Sequence, residues 1–378
     1  MKRTLAALAA FAAALAAQAQ GVTDGQVVLG QSVALSGPAQ ELGKDMQLGA
    51  SLYFNAVNAK GGVNGRKIVL KTLDDGYESA RAAENTKKLI NDEKVFALFG
   101  YVGTPTSAAS LPIFTEAKVP FVGPFTGAEL LRNPVNRYIF NVRASYYDET
   151  EAIVQHLTAM SVNRIAVFYQ NDAYGQAGLA GVERALKKRN LEVAAKGTVE
   201  RNTVDVKAAV ATMAKAQPQA IVMVSAYKSC AAFIKEMKAA GSNPTFWNVS
   251  FVGSKALAKE LDKDGRGVQI SQVVPFPWDS TVPVVKEYRL LLDAAKGEPG
   301  FGTLEGFIAA KVMVEGLRRA GKNLTRESFI KAMEGLDAYD AGGFKVTYGA
   351  DNRSGSRFVD LTIISKDQKF DIYAFIEG

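Results

Sequence analysis

Short apolar segments alternate with longer amphipathic patterns along most of the chain. The apolar runs have the length of buried strands, whereas the longer patterns repeat every three to four residues, as the apolar face of a helix does. The strands are predicted at 27–35, 67–75, 164–170, 192–199, 220–226 and 245–250. The helices are predicted at 44–59, 78–93, 148–160, 175–188, 205–216 and 228–241. This order predicts an α/β protein with two doubly wound lobes that share a similar order of strands and helices.

The last third of the chain does not have the pattern of a third domain. An apolar run at 267–277 precedes helices near 282–296, 303–320 and 324–336, and a hairpin then turns at Asp367–Gln368. These few helices and the single hairpin are too few for a domain of their own. They are more simply explained as parts of the two lobes, to which the chain returns through short crossings. The crossings are predicted near 142–147, 273–278 and 351–357. The predicted boundaries are 1–19 for a signal peptide, 24–145 plus 276–354 for the first lobe, and 146–275 plus 355–378 for the second.

Two segments, 95–110 and 119–131, share one further pattern. Each is a short apolar strand that runs into Gly, then Thr, then a helical pattern, and the threonines are Thr104 and Thr126. Free backbone N–H groups and a hydroxyl at such a junction suit a carboxylate or another anion. Since consecutive strand ends meet at the ligand-binding edge of an open α/β sheet, both threonines are predicted to lie at one site.

Helix capping is the alternative for both threonines. Thr126 and Glu129 have the spacing of a capping box. Thr104 precedes Pro105, and proline favours the first position of a helix, so Thr104 also suits an N-cap. The pattern leaves capping and ligand binding both open.

The first residues have the features of a secretion signal. Lys2 and Arg3 are followed by an apolar run at 5–17, which is too short to span a bilayer, and by the cleavage pattern Ala17-Gln18-Ala19. No Cys directly follows the apolar run, so a lipid anchor is not expected. We expect cleavage after Ala19 and export of a soluble protein to the periplasm.

Composition argues against several other classes of protein. The formal net charge is +7 without a basic run, so a nucleic-acid partner is not expected. The single Cys230 excludes an internal disulfide, and its apolar surroundings predict a buried structural thiol. The single His156 lies in an amphipathic pattern. The chain therefore offers little histidine for Ser-His-Asp or Cys-His catalysis or for a metal cluster. We expect a chain without cofactor, metal or catalytic activity.

The chain resembles the periplasmic solute-binding proteins of ABC importers, in the leucine/isoleucine/valine-binding group. The resemblance covers the chain after the signal nearly end to end, and NAKGGVNGRKI with the following DD is its most specific part. The matching segments are LSGPAQELGKDMQLGASLYFNAVNAKGGVNGRKIVLKTLDD, LFGYVGTPTSAAS, VPFVGPFTGAELL, RIAVFYQNDAYGQAG and GFIAAKVMVEGL. The resemblance implies two Rossmann-like lobes, three hinge crossings and a ligand cleft that closes between the lobes. It also implies a small anionic or zwitterionic ligand, an inner-membrane ABC permease as partner, and a monomer.

Several binding positions of the family match residues of this chain. The position that holds the ligand carboxylate at the first junction falls on Thr104, and that of the second junction falls on Thr126 with the backbone of Phe125. Aromatic positions of the second lobe fall on Tyr174 and near Tyr227. For both tyrosines, an exposed loop position or a partial lid over the core is the alternative.

Four positions depart from the amino-acid binders of this family. The position of the first-lobe tyrosine is occupied by Leu42, and the position of a small polar contact beside Thr104 is occupied by Gly103. The aromatic residue expected near 301–303 is only approximately supplied by Phe301. The carboxylate that pairs with the ammonium of an amino acid falls on Ser250. Because serine cannot replace that charge, either another acid pairs with the ammonium or the ligand has no α-ammonium. The candidate acids are Asp75, Asp148 and Glu305.

The ligand favoured by these departures is a carboxylate with an apolar or aromatic body. The aromatic residues that could enclose it, several of which have a core position as their alternative, are Tyr101, Phe125, Tyr146, Tyr174, Tyr227, Phe251 and Trp278. A branched-chain amino acid is the second interpretation. A ligand-sensing regulator on the same fold is disfavoured by the signal and by the lack of a helix-turn-helix segment. An enzyme comes last, because the predicted sites lack an acid–base pair.

Overall fold

The first of two sheets contains the amino-terminal strands and is entirely parallel. The computed structural model describes residues 20–372, so the predicted signal at 1–19 lies outside the described residues. The strand order is β2-β1-β3-β4-β5. Its strands are β1 (Gln26–Val33), β2 (Lys67–Asp74), β3 (Ala97–Phe99), β4 (Phe121–Val122) and β5 (Ile139–Phe140). The carboxyl ends of all five strands therefore meet at one edge of this sheet, as doubly wound topology requires.

The second sheet is parallel except at one edge, where the end of the chain joins it. The strand order is β14-β13-β10-β9-β8-β6-β7, and β13 and β14 are the antiparallel members. Its strands are β6 (Ile165–Gln170), β7 (Lys196–Val199), β8 (Ala220–Val224), β9 (Thr245–Asn248), β10 (Gln269–Gln272), β13 (Asp360–Ile364) and β14 (Phe370–Ile372). A separate small hairpin is formed by β11 (Tyr339–Asp340) and β12 (Lys345–Val346).

Helices connect the strands and cover the sheets, which confirms the predicted α/β class with two lobes. The helices up to residue 239 are α1 (Gln40–Ala59), α2 (Ser79–Asn91), α3 (Thr104–Glu116), α4 (Tyr146–Ala159), α5 (Ala173–Lys187), α6 (Lys207–Ala216) and α7 (Tyr227–Ala239). The later helices are α8 (Ser254–Leu261), α9 (Pro283–Ala294), α10 (Phe301–Ala320) and α11 (Arg326–Glu334). Among residues 20–372, none of the helices combines the length and the apolar character needed to cross a membrane.

Helix α10 packs on α1 at unusually close range, and glycines permit the approach. A Cβ atom on Gly49 would lie 1.8 Å from the Thr303 carbonyl oxygen, and one on Gly306 would lie 2.4 Å from the Met46 carbonyl oxygen. Only hydrogen fits at either position, so the two helices meet backbone to backbone. The late helix α10 is thereby fixed to the first lobe, while Thr362 of β13 pairs with Ile270 of β10 in the second. The division of the chain at residues 145, 275 and 354 stays a prediction.

The structure departs from the predicted elements in several places. The strand predicted at 192–199 is only Lys196–Val199. The second junction is followed by a single 3₁₀ turn, Glu129–Leu131, instead of a helix that begins at Thr126. Helix α8 was not predicted, because a helix of eight residues is too short to show periodicity. It also follows Gly253, whose φ of +80° lies in the left-handed region.

Candidate functional site

The hydroxyl groups of Thr104 and Thr126 lie side by side at the edge of the first sheet. Their Oγ1 atoms are 2.6 Å apart, and both side chains are fully buried. A parallel bridge between Val102 and Phe125 extends the pairing of the two strands to this point, so the residues that follow the strands remain neighbours. The structure thus brings together the two threonines that the repeated junction predicted would share one site.

Helix capping, the alternative for these threonines, is wrong in both cases. Helix α3 begins at Thr104 itself, with Gly103 as its N-cap and without a side-chain cap. Thr126 Oγ1 accepts a hydrogen bond from the Ala128 backbone N–H at 3.3 Å, but no helix begins at Thr126. Both hydroxyls are therefore turned toward each other, beside the backbone N–H groups of the first turn of α3.

Tyr146 connects this pair to the second lobe. The Thr126 hydroxyl donates to Tyr146 Oη at 3.3 Å, and the Tyr146 backbone N–H donates to the Gly127 carbonyl at 2.7 Å. Ser145 and Asp148 form a capping box that fixes the start of α4 at Tyr146. Burial raises the pKa of Tyr146 to about 12, so this phenol remains a neutral hydrogen-bonding group.

Aromatic rings from both lobes surround the two threonines. Phe251 lies at the centre, with ring-centroid distances of 4.6 Å to Tyr174, 5.6 Å to Phe125 and 5.8 Å to Tyr77. Tyr174 is also 5.4 Å from Tyr146. Phe125 and Tyr174 are thus in the group where the sequence predicted them.

The hydroxyl of Tyr174 is buried, and within residues 20–372 it has no hydrogen-bond partner. Burial raises the pKa of Tyr174 well above its ordinary value, so the hydroxyl keeps its proton. A buried donor without a partner costs roughly 1–3 kcal/mol. This hydroxyl is consequently available to a polar atom of a solute, as the resemblance implied for this position.

Tyr77 was missed by the sequence analysis. It follows β2, has a φ of +63°, is fully buried, and its hydroxyl accepts a hydrogen bond from Gln170 Nε2 of the second lobe at 3.2 Å. Since β2 is parallel to β1, its carboxyl end lies at the same edge as the ends of β3 and β4. Tyr77 was therefore predictable from its place at a strand end, as Thr104 and Thr126 were.

A buried group of charges adjoins the aromatic rings, and two of its members, Arg143 and Glu149, were not predicted from the sequence. Arg143 Nη2 is 2.8 Å from Glu149 Oε1, and Arg143 Nη1 is 3.4 Å from Glu305 Oε1. The Arg143 guanidinium lies 5.3 Å from the ring centroid of Phe125 and 5.7 Å from that of Tyr146. Burial disfavours its charge, but the carboxylates of Glu305 and Glu149 outweigh burial and raise the pKa of Arg143. No sequence pattern identified this pair, because they are six residues apart and lie on either side of a helix start.

Ser250, the position expected to carry the ammonium-pairing carboxylate, instead binds the carboxylate of Glu149. The Ser250 backbone N–H donates to Glu149 Oε2 at 2.8 Å, and its hydroxyl donates to Glu149 Oε1 at 3.1 Å. The Ser271 hydroxyl donates to Glu149 Oε2 at 2.6 Å, and Arg143 also donates to the Ser250 hydroxyl. Glu149 is thus saturated with donors, and its charge is balanced by Arg143.

Glu305 is the one of the three candidate acids that lies in the cleft beside Ser250. Burial raises the pKa of Glu305 to about 7, although the charge of Arg143 opposes the shift. Asp148 is engaged in the capping box of α4. Asp75 accepts hydrogen bonds from the Ser32 hydroxyl at 2.7 Å and the Tyr77 backbone N–H at 2.8 Å.

The lobes are closed over this site. A cavity of about 10 Å³ remains in the cleft, which is room for one water molecule. Its lining includes Leu42, Asp45, Phe125, Ser250, Phe301 and Glu305. A solute of several heavy atoms needs more space, so its entry requires the lobes to separate or the rings to move.

Polar contacts between the lobes hold the cleft closed next to Tyr77. Arg201, in the turn after β7, donates to Glu78 Oε2 at 2.9 Å and to the Ser79 hydroxyl at 3.2 Å. Asn202 Nδ2 donates to Glu78 Oε1 at 2.7 Å and to the Gly76 carbonyl at 3.2 Å. We call this set of contacts the Arg201–Glu78 clasp.

Tyr101 is a correction to the predicted site. Its hydroxyl bonds with Thr86 Oγ1 at 3.0 Å, and its ring packs edge-on against Phe121 at 5.2 Å. Both contacts belong to a separate apolar cluster formed by β3, β4, α2 and α3. Because its hydroxyl and its ring are both engaged in this cluster, Tyr101 is part of the core and not of the wall around Thr104 and Thr126.

Tyr227 and Trp278 lie at the mouth of the cleft. Tyr227 begins α7 and lines a wide outer groove together with Lys255 and Trp278. Trp278 is 5.7 Å from the rings of Phe301 and Phe370, which belong to different lobes. The lining of this groove includes neither Thr104 nor Thr126, so Tyr227 and Trp278 are not placed beside the paired hydroxyls.

Residues 20–372 contain no group of three or more His, Cys, Asp or Glu side chains that could hold a metal ion. Cys230 is buried and its Sγ donates to the Ser225 carbonyl at 3.4 Å. Burial raises the pKa of this thiol, which favours the structural role predicted for it.

Comparison with known proteins places this geometry in a family. The family model described as periplasmic binding protein matches residues 26–369. Leu/Ile/Val-binding protein homolog 7 of Brucella suis biovar 1 is 27% identical over 368 residues, which cover 92% of this chain and 90% of the relative.

Two solved structures resemble the chain over nearly its whole length. A possible leucine/isoleucine/valine-binding protein from Rhodopirellula baltica SH 1 has a TM-score of 0.90 and 36% identity, covering 95% of this chain and 99% of that one. A substrate-binding periplasmic protein from Ralstonia solanacearum has a TM-score of 0.87 and 32% identity, covering 92% and 100%.

Proposed function

Because this chain belongs to the periplasmic binding protein family, we propose that it captures a small carboxylate with an apolar or aromatic body for an ABC importer. The observation that carries the proposal is the pair of buried hydroxyls, Thr104 and Thr126, with Oγ1 atoms 2.6 Å apart. They lie at the amino end of α3, where backbone N–H groups and the helix dipole favour an anion. The family and the fold are those of solute-binding proteins of the periplasm.

The surroundings of the threonines suit an apolar body behind the carboxylate. The rings of Phe125, Phe251 and Tyr174 pack against one another beside Tyr146, whose hydroxyl contacts that of Thr126. Ligand sites of this kind combine apolar walls with a few fixed polar groups. The unpartnered Tyr174 hydroxyl supplies one more donor at the same wall.

The charges of the cleft argue against an α-ammonium. Glu149 accepts four donors and is paired with Arg143, so it has no free oxygen for an additional cation. Without a carboxylate at Ser250, a bound amino acid would forfeit a charge-assisted hydrogen bond of roughly 1.5–3 kcal/mol, which is about tenfold to a hundredfold in affinity. Burial of the unpaired ammonium would weaken binding further.

A branched-chain amino acid is the second candidate, and Glu305 is the observation that favours it. Glu305 lines the cavity, and among the described residues only Arg143 contacts its carboxylate, through Oε1 at 3.4 Å. The other oxygen, Oε2, could pair with an ammonium if Glu305 is ionised. A pKa near 7 leaves that charge only partly present at neutral pH.

A matched pair of ligands separates the two candidates. 4-Methylpentanoate is leucine without its α-ammonium, so calorimetric titration of ligand-stripped protein with each compound isolates the contribution of that group. We expect tighter binding of 4-methylpentanoate, with benzoate as an aromatic comparison. Micromolar or tighter binding of leucine without heat from either carboxylate would reject the first candidate and favour the second. Recovery of each compound unchanged after incubation would support a binding role over catalysis.

We also propose how the chain is processed and how it works. A signal at 1–19 is removed, the lobes close around the solute, and the closed monomer is recognised by an inner-membrane permease. Residues 24–145 plus 276–354 would form the first moving body, and 146–275 plus 355–378 the second. The packing of α10 on α1 and the pairing of β13 with β10 support this division.

A further inference from the structure

Glu305 occupies an unusual position in the closed cleft. Its side chain is almost fully buried, in the second turn of α10, and it lines the same small cavity as Phe125 and Ser250. Within residues 20–372 its carboxylate makes a single long contact, 3.4 Å from Glu305 Oε1 to Arg143 Nη1, and Oε2 has no hydrogen bond or ion pair. One oxygen of a buried carboxylate is therefore left facing the cavity.

The groups around Glu305 do not fix its charge. On the α4 side lie Arg143 and Glu149, and the positive charge of Arg143 is already balanced by Glu149 at 2.8 Å. Arg132 lies farther away, and its guanidinium donates hydrogen bonds to the carbonyl oxygens of Ala128, Arg143 and Ala144. One cation is thus shared by two carboxylates, and Glu305 is the more weakly bound of them.

The helices packed on α10 add one further acid and one cation. Asp45 of α1 lines the same cavity, and burial raises the pKa of Asp45 to about 7 against the charge of Lys255. Lys255 of α8 forms an ion pair with Glu298, in the segment before α10. Asp45 is therefore the only other carboxyl group of this cavity lining whose proton could respond to a solute.

A solute carboxylate at the threonines would lie close to this group. The Thr126 hydroxyl contacts Tyr146 Oη at 3.3 Å, and the Arg143 guanidinium lies 5.7 Å from the centroid of the same ring. The anion and Glu305 would therefore act on one cation from two sides. Because like charges repel, an anion beside a buried carboxyl group raises the free energy needed to ionise that group.

We propose that Glu305 is a specificity-determining residue that takes up a proton when an anionic solute enters the cleft. The proton comes from solvent and binds to the carboxylate oxygen that faces the cavity, so the solute meets a neutral donor instead of a second negative charge. Arg143 then keeps Glu149 as its partner. This inference rests on the proposed binding of a carboxylate, and it gives the site a preference for carboxylates over amino acids that is strongest at acidic to neutral pH.

The sign of the pH dependence follows from linkage. In the closed cleft without solute, burial raises the pKa of Glu305 to about 7, and the bound anion raises it further. Below the free value the proton is present in both states, and affinity is constant. Above it, binding must supply the proton, and affinity falls by up to about tenfold per pH unit until the bound pKa is passed. A zwitterion that pairs with ionised Glu305 has the opposite dependence.

The test measures proton uptake directly. Benzoate and 4-methylpentanoate are titrated calorimetrically near neutral pH in two buffers of different ionisation enthalpy, and the difference in heat gives the protons bound. We expect uptake of a fraction of one proton in the native protein and none in Glu305→Gln. Glu305→Gln, which keeps the shape of the protonated side chain, should bind at about pH 8.5 as tightly as the native protein does at about pH 6.

Two further variants locate the proton. Asp360→Asn removes another carboxyl whose pKa burial raises; Asp360 pairs with the cavity-lining Gln272 but is not itself in the lining, so this variant should leave proton uptake unchanged. Loss of the uptake in Asp45→Asn with its retention in Glu305→Gln would overturn the assignment. So would binding without proton uptake, or with proton release. If Glu305→Gln does not fold, the pH profile of the native protein decides, because a flat affinity between about pH 6 and 8.5 rejects the coupling. Absence of carboxylate binding at every pH would instead reject the proposed solute class, and the coupling with it.

Discussion

The ring of Tyr77 occupies the space that a side chain on Gly103 would need. A Cβ atom on Gly103 would lie 2.3 Å from Tyr77 Cε2, which is far inside van der Waals contact. Gly103 is also the N-cap of α3, with φ +103° and ψ 153°, a conformation that is almost exclusive to glycine. The absence of a side chain at residue 103, which is a departure from the amino-acid binders that the sequence resembles, is thus matched by a ring that follows β2 at the same edge of the sheet.

Gly103→Ala should therefore destabilise the protein and displace Thr104. The strained backbone alone costs about 1–3 kcal/mol, and the clash with Tyr77 adds to it. Urea unfolding should show a lower midpoint with an unchanged slope. Gly25→Ala is the control, because a Cβ there meets nothing within 4 Å and its φ is not in the left-handed region. Equal stability of the two variants would show that Tyr77 yields freely and that the close approach is not a constraint.

Removal of either hydroxyl at the paired threonines should weaken solute binding. Thr104→Val and Thr126→Val keep the side-chain shape, and each loses a hydrogen bond to a charge, roughly 1.5–3 kcal/mol. The measurement is calorimetric titration with 4-methylpentanoate. Thr212→Val is the matched control, since Thr212 is exposed on α6 and its hydroxyl donates only to the Ala208 carbonyl. Native affinity in both cleft variants would place the carboxylate elsewhere.

Weakening of the Arg201–Glu78 clasp should favour the open form. Arg201→Met removes the contacts at 2.9 Å and 3.2 Å to the first lobe. Because these groups are partly exposed, the expected loss is about 0.2–1 kcal/mol, or up to roughly fivefold in affinity, and should appear mainly as faster solute release. Small-angle scattering of the solute-free variant should show a larger radius of gyration. Lys188→Met, which breaks a pair with Glu151 inside the second lobe, should change neither quantity.

Cleavage of the signal should leave Gln20 as the first residue. The charged start, the apolar run and Ala17-Gln18-Ala19 predict this site. Intact-mass measurement of protein from the periplasm of its native host checks it. Retention of Met1 on that protein would contradict export by a cleaved signal.

The candidate site was predictable where it depends on strand ends and not where it depends on long-range charge pairing. Thr104, Thr126 and Phe125 follow parallel strands, and the carboxyl ends of such strands converge in every doubly wound sheet. Tyr101 was wrongly included among the residues that enclose the ligand, because it follows Gly100, whose φ of +62° makes the direction of the next side chain unpredictable from periodicity. The role of Arg143 and Glu149 could not be predicted, because it depends on their contacts with Ser250 and Glu305, which are more than a hundred residues away in the chain.

The sequence by itself determined the α/β class, the two lobes, the family resemblance and the pair of threonines, because all of these follow from local periodicity, turn residues and the ends of parallel strands. Tertiary structure alone decided that Tyr77 fills the space at Gly103 and that Arg143 is shared by Glu149 and Glu305. It also decided that the carboxyl group nearest Ser250 belongs to α4. The physical reason is that burial and charge pairing are properties of the closed cleft, where segments distant in the chain exclude water from one another, and no pattern of neighbouring residues encodes which of them will meet.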